Sequence, residues 1–135
     1  MSPFMLDTDI CVDLIRGRAP ELVGRLRKYP PDDIAISSIS LAELQYGAVK
    51  SARPDWHLGL LAEFCAPLTI LEFGNQAAEA YGKVRLALER AGTPIGPLDT
   101  LIAAHALAEN MTVVTNNLRE FRRVRGLKVE NFLES

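Results

Sequence analysis

Several acidic residues of this chain stand just behind short apolar runs. Asp7 and Asp9 follow Phe4-Met5-Leu6, Glu43 lies a few residues past Ile34-Ala35-Ile36, and Asn117 and Glu120 follow Met111 to Val114. Asp99 comes directly after the Gly/Pro-rich stretch Gly92-Thr93-Pro94-Ile95-Gly96-Pro97 and Leu98, where a helix is expected to open. If these side chains converge, their charge dictates the chemistry. Two carboxylates about 4 Å apart repel by about 4 kcal/mol at an effective dielectric near 20. Three together must raise their pKa values or recruit a cation. No lysine sits in the matching loops to neutralise them. A hard divalent ion with oxygen ligands, Mg²⁺ or alternatively Mn²⁺, is the natural remedy. Zinc does not fit, because His57, His105, Cys11 and Cys65 lack ligand spacing. A carboxylate-bound Mg²⁺ suits phosphoryl chemistry, where it provides a nucleophilic water and neutralises phosphate charge. The chain carries no Ser/His/Asp arrangement and no Gly-rich phosphate loop, so nucleophilic and P-loop catalysis lack support.

The elements that must position these acids follow from periodicity and punctuation. Short apolar runs at Phe4 to Leu6, Ile34 to Ile36, Leu68 to Phe73 and Met111 to Val114 read as strands, with a weak last strand at Leu127 to Val129. Between them lie helices expected over Ile10 to Ile15, around Pro20 to Lys28, from near Ser40, from Pro54, over Gln76 to Arg90, over Leu98 to Glu109 and over Leu118 to Val124. Strands alternating with helices predict an α/β fold with a central parallel sheet and helices on both faces. In such a sheet the strand C-termini share one edge, and ligands bind in the crevice there. Residues as distant in sequence as Asp7 and Glu120 can therefore meet.

The chain has 135 residues, enough for one domain with a real core, and neither repeats nor a composition shift divide it, so residues 1–135 are expected to form one domain. Its 48% hydrophobic content excludes a disordered chain, and no apolar run reaches the ~20 residues of a membrane span. Asp7 and Asp9 leave no room for a secretory h-region, and Cys11 and Cys65 read as buried thiols. A cytoplasmic location is the expectation. The net charge of −2 argues against non-specific coating of nucleic acid. Basic residues nonetheless cluster at Arg119, Arg122, Arg123, Arg125 and Lys128, and again at Arg16, Arg18, Arg25, Arg27 and Lys28. Each run is either a solvated face or a phosphate-binding surface.

Each acid also has a purely structural explanation. Ser40-Leu41-Ala42-Glu43 has the pattern of a capping box, with Glu43 tying down the Ser40 amide. Asp99 would serve as N-cap of a helix starting at Thr100, Asn117 with Glu120 as another cap pair, and Asp7 or Asp9 as the cap of the first helix. His105, among Leu101, Ile102 and Ala106, reads as a packed, hydrogen-bonded histidine.

Four stretches together carry a family resemblance. They are Met5-Leu6-Asp7-Thr8-Asp9-Ile10-Cys11, the run Ile36-Ser37-Ser38-Ile39-Ser40-Leu41-Ala42-Glu43-Leu44-Gln45-Tyr46-Gly47, the run from Pro94 through Asp99 to Ala106, and Val113-Val114-Thr115-Asn116-Asn117-Leu118-Arg119-Glu120-Phe121. In order and spacing they resemble the VapC toxins, the PIN-domain ribonucleases of type II toxin–antitoxin modules, and most of all the branch that cleaves initiator tRNA. The resemblance implies a PIN-like three-layer fold and an Mg²⁺-dependent endoribonuclease. It further implies tRNA as substrate, a cognate VapB-type antitoxin as inhibitor, and a homodimer that joins the antitoxin in a hetero-oligomer. Carried over by position, Asp7 and Asp99 would be the principal metal ligands, with Glu43 completing the triad. Thr115, Arg119, Arg122 and Arg123 would contact RNA. The antitoxin would bring an Arg to the acids and bury apolar surface near Trp56 and Leu60.

Two positions depart from the family pattern. Many PIN domains carry an Asp two residues after the Thr that matches Thr115, where this chain has Asn117; either Asn117 or Glu120 then fills the fourth role. The common Asn after the first Asp-Thr pair is Asp9 here, an extra carboxylate or a helix cap. Other readings stay open at this point. Asp7-Thr8-Asp9 resembles the opening of haloacid dehalogenase-type phosphatases, which need a downstream Lys that is missing at a suitable strand end. A receiver-like module would need its Lys at the end of the last strand, whereas Lys128 lies at that strand's start. A PIN-like protein that has lost catalysis and only binds a partner is the third.

Overall fold

The computed structural model describes residues 3–133, so the extreme ends of the expected 1–135 domain lie outside the described residues. In chain order the elements are β1 (Phe4–Leu6), α1 (Thr8–Ile15), α2 (Pro20–Leu26), a 3-10 turn (Pro31–Asp33), β2 (Ile34–Ser37), α3 (Ser38–Val49), α4 (Pro54–Cys65), β3 (Thr69–Leu71), α5 (Asn75–Arg90), α6 (Pro97–Ala108), β4 (Thr112–Val114), α7 (Leu118–Phe121) and β5 (Lys128–Glu130). The five strands form one sheet in the order β3-β2-β1-β4-β5, and every pairing is parallel.

Alternation along the strands builds the layers. Phe4, Leu6, Ile34, Ile36 and Val114 enter one core with Ile10, Leu22, Leu44 and Leu61. Met5, Ala35 and Val113 point the other way, into a core with Val84, Leu88, Ile102, Ala106 and Phe121. That two-residue period puts helices on both faces, giving the expected three-layer α/β fold. Both cores are built from residues far apart in sequence.

Strand order fixes where a ligand can enter. From β1 the chain builds outward through β2 and β3, then crosses back to place β4 and β5 on the other side. The reversal falls between β1 and β4, and their carboxyl ends form the topological switch point. Helix termini sharpen the approach to it. At the end of α6, Asn110 takes φ 56°, the Asn110 amide donates to the Leu107 carbonyl (3.2 Å) and the Met111 amide to the Ala106 carbonyl (2.9 Å). This Schellman closure turns the chain straight into β4. Gly17, at φ 68°, performs the same turn beyond α1.

Two expected boundaries need correction. The third helix starts at Ser38, not near Ser40, because Ser37 caps it by accepting from the Ile39 amide at 3.0 Å. The sixth starts at Pro97, not at Leu98 or Thr100. Cys11 is buried as expected, but Cys65 at the end of α4 is only half-buried.

Candidate active site

The floor of the switch point is Asp7. It follows β1 and continues its ladder, the Asp7 amide donating to the Val114 carbonyl at 2.9 Å. It caps α1, with Oδ1 accepting from the Thr8 amide at 2.7 Å. The capping explanation is therefore true of Asp7, and it is incomplete. Its side chain is 3% exposed, and Oδ2 accepts from the Thr115 hydroxyl at 2.8 Å. Each oxygen keeps a second lone pair. Burial pushes the Asp7 carboxyl above its usual range; the Thr115 and Thr8 bonds pull it back, while the charges of Asp9 and Glu43 push it further up.

Thr115 is fully buried at the end of β4, its hydroxyl held between Asp7 and the Asn117 amide, which donates to it at 2.9 Å. The expectation that it contacts RNA is thus overturned: it has no open surface, and it fixes Asp7 instead.

Asp99 stands in the first turn of α6, and the expectation that it caps a helix at Thr100 fails because Gly96 occupies the cap. Its carboxyl is held up at about 7, first by burial, then by the charge of Asp7, by the hydrogen bond and charge it shares with Glu120, and by Asp9. Asp99 therefore feels the charge of both Asp7 and Glu120. Asn117 and Glu120 do not cap α7 with their side chains; the Asn117 Nδ2 donates to Glu120 Oε2 at 2.8 Å. Asn117 holds the acid, and Glu120 brings the charge.

Glu43 projects from the second turn of α3, too far along for the expected capping box. The Ser40 hydroxyl accepts from Thr8 Oγ1 at 3.0 Å, joining α3 to the start of α1. Freed of a capping task, Glu43 lines a groove of about 590 Å³ together with Thr8, Asp9, Arg16, Tyr46, Trp56 and Leu60. Asp9 is exposed in the first turn of α1; it caps nothing and adds charge at the mouth.

His105 is buried as expected, with its Nδ1 2.8 Å from the Ser37 Oγ and its ring edge against Phe73. Since Ser37 already accepts from Ile39, its own proton is free to go to Nδ1. Nε2 then faces the Glu72 backbone, without a full hydrogen bond. Burial holds the ring below the usual histidine range, so it stays neutral. The Ser37–His105 and Thr8–Ser40 links, which lock the helices carrying Asp99, Glu43 and Asp7 together, are not visible in the sequence. Hydroxyls adjoining the acidic positions were the available hint.

The basic run is divided. Arg119 and Arg122 are exposed beside the site, whereas Arg123 donates to the Pro94 carbonyl at 2.9 Å and so pins the loop leading to Asp99. In the other basic group, Arg25 is spent on the Phe132 carbonyl and ring, and Arg18 on Asp13.

Carboxylates and hydroxyls converge at this crevice. No ion pair among the described residues reaches Asp7, Glu43 or Asp99. Nor do three metal-binding side chains among the described residues close into a ready-made cage.

A doubly wound sheet with an acidic centre at its switch point defines the class. The PIN domain model matches residues 4–127, and the chain belongs to the PIN-domain family, in its VapC group. It is 42% identical to the tRNA(fMet)-specific endonuclease VapC of Salmonella typhimurium over 132 residues, 98% of this chain and 99% of that protein. It is 44% identical to ribonuclease VapC2 of Rickettsia felis over 130 residues, 96% and 97% of the two chains. Among solved structures, a chain of the DNA-bound VapBC complex of Salmonella typhimurium superposes with a TM-score of 0.93 at 42% identity, covering 98% of this chain and 99% of that one. The phosphatase and receiver readings fall with this assignment.

Proposed function

We propose that this chain is the toxin of a type II toxin–antitoxin module: a cytoplasmic endoribonuclease that hydrolyses RNA phosphodiester bonds with Mg²⁺, its target being initiator tRNA. The observation that supports the metal-dependent part is the Asp99 carboxyl at about 7, raised by burial and by Asp7, Glu120 and Asp9, with no ion pair to these acids among the described residues. Such a centre has a standing demand for a cation. The substrate and the partner rest on the relatives, an initiator-tRNA endonuclease and a VapBC complex.

Asp7 and Asp99 would hold the ion, Asp7 being already fixed in direction by Thr115 and Thr8. When bound, Mg²⁺ supplies a nucleophilic water and charge neutralisation at the phosphate; Mn²⁺ would serve the same donor set. Glu43, half-exposed on the groove side, would serve as a general base toward an attacking water. Glu120 adds its charge beside Asp99 and is held by Asn117, so we assign the fourth acidic role to Glu120. In this reading the chain keeps four acids despite Asn117, which favours a nuclease over a binding protein without catalysis.

A VapB-type antitoxin fits the groove that runs from Asp9 and Glu43 to Trp56 and Leu60. An apolar segment would cover the far end and an Arg would pair with the acids. The homodimer implied by the family belongs to the same proposal. Expression of the chain alone should arrest growth, with cleaved initiator tRNA visible by end-mapping, and Asp7→Asn should do neither. Harmless accumulation of the wild-type chain would end the toxin reading.

A further inference from the structure

Beyond the acids, the groove ends in an unusual surface at the turn between α3 and α4. Tyr46 is 62% exposed and Trp56 50% exposed, large aromatic areas to leave in water. Each ring carries a cation: the Lys50 Nζ lies 4.8 Å from the Tyr46 centroid and the Arg53 guanidinium 4.7 Å from that of Trp56. Neither cation is in an ion pair among the described residues, and the nearby acid Asp55 sits in the first turn of α4. His57 adds its ring edge to Trp56 at 5.0 Å. Tyr46, Lys50, Trp56 and His57 line the same groove as Asp9 and Glu43, so this surface adjoins the acidic rim of the site. Along α3, Tyr46 lies three residues past Glu43, about 4.5 Å of helical rise.

We infer that Tyr46 and Trp56 form a stacking platform for single-stranded RNA bases adjacent to the scissile phosphate, with Lys50 and Arg53 taking the flanking phosphates. This rests on the ribonuclease reading above and names where its substrate lies. Base stacking on aromatic rings together with cations along the backbone is the general chemistry of single-strand binding. An apolar protein segment would use the rings equally well but would gain nothing from the two cations poised over them. The charge favours RNA.

Trp56 is the only tryptophan, so its fluorescence reports this surface alone. The probe is a fluorescein-labelled single-stranded oligoribonucleotide of about ten nucleotides, added in Mg²⁺ to the full-length Asp99→Asn protein. The expected result is saturable quenching of Trp56 that tracks the anisotropy of the label. Trp56→Ala and Tyr46→Ala should each weaken binding by about fivefold to a hundredfold, and Trp56→Phe should restore most of it. Lys50→Gln or Arg53→Gln should each lower the log–log salt slope by about 0.7. Because all four residues are exposed, unchanged melting curves will verify folding. Unquenched Trp56 at saturating anisotropy, no binding of the oligonucleotide at all, or alanine variants that bind RNA normally while losing the antitoxin would each overturn the platform. Cleavage by the wild-type chain is scored separately: cleavage without quenching defeats only the platform, and quenching without cleavage defeats only the nuclease.

Discussion

The floor and the rim of the acidic crevice obey different rules. On the floor, Asp7, Ser37, Ser40, Thr115 and His105 are all buried, and each makes a side-chain hydrogen bond given above. On the rim, Glu43, Asp9, Arg119 and Arg122 are half-exposed or exposed. The contrast follows from desolvation. A buried polar group left unpaired costs about 1–3 kcal/mol, so the floor must be satisfied by the fold itself. A rim group is satisfied by water and is free to exchange water for ligand. Position is set below, and exchange happens above.

The largest effect should come from separating those two duties at Glu43. Glu43→Gln preserves size and removes only the carboxylate. Since Glu43 caps nothing, melting should be unchanged while cleavage falls by about a hundredfold to ten-thousandfold, the usual span for a lost general base. RNA cleavage assays beside thermal melts decide it. Lost stability with full activity per folded molecule would move Glu43 from the rim to the structural set.

Much of this was legible in the sequence. Short continuous apolar runs announced the strands, and the residues behind them announced the crevice, because parallel strands end on one edge. Helix starts were less legible. Ser37, Ser38 and Ser40 could each cap α3, and Ser40 with Glu43 even spells a capping box; the choice of Ser37 follows from β2 running to that residue and His105 meeting its hydroxyl. Thr115 misled for a similar reason. Beyond a strand end a threonine reads as loop, yet its amide pairs with the Glu130 carbonyl at 3.0 Å, which draws it into the sheet and under Asp7. The Asn117–Glu120 pair was visible as a spacing, but its side-chain bond and the proximity of Asp99 depend on the turn between β4 and α7.

A smaller effect lies where floor meets rim, at Asp99. Its folded pKa of about 7 exceeds the ordinary 3.8, so the stabilising form is the protonated one. That contribution is complete below pH ~4 and is lost as pH rises through about 7. Asp7 is shifted in the same direction. Metal-free wild type should therefore melt lower at pH 8 than Asp99→Asn, and the gap should close at pH 4 to 5. Saturating Mg²⁺ should raise the melting temperature of the wild type at pH 8 much more than that of the variant. Identical melts of the two metal-free proteins at pH 8 would mean that the acids do not repel.

The smallest effect concerns the basic rim. Both Arg122 and Arg123 were expected to touch phosphate, but Arg123 already holds the Pro94 carbonyl and thereby the loop before Asp99. Substituting it would confound binding with positioning. Arg122 is exposed at the end of α7, and no side-chain bond to it is seen, which makes it the clean test. Each phosphate contact releases condensed counterions, so Arg122→Ala should reduce the log–log salt slope of RNA binding by about 0.7 for a single strand. The maximal cleavage rate should stay near that of the wild type, since Arg122 lies outside the acidic set. Binding titrations at several salt concentrations measure the slope directly. An unchanged slope would make α7 a solvated face and leave the groove beside α3 and α4 as the surface that holds the backbone.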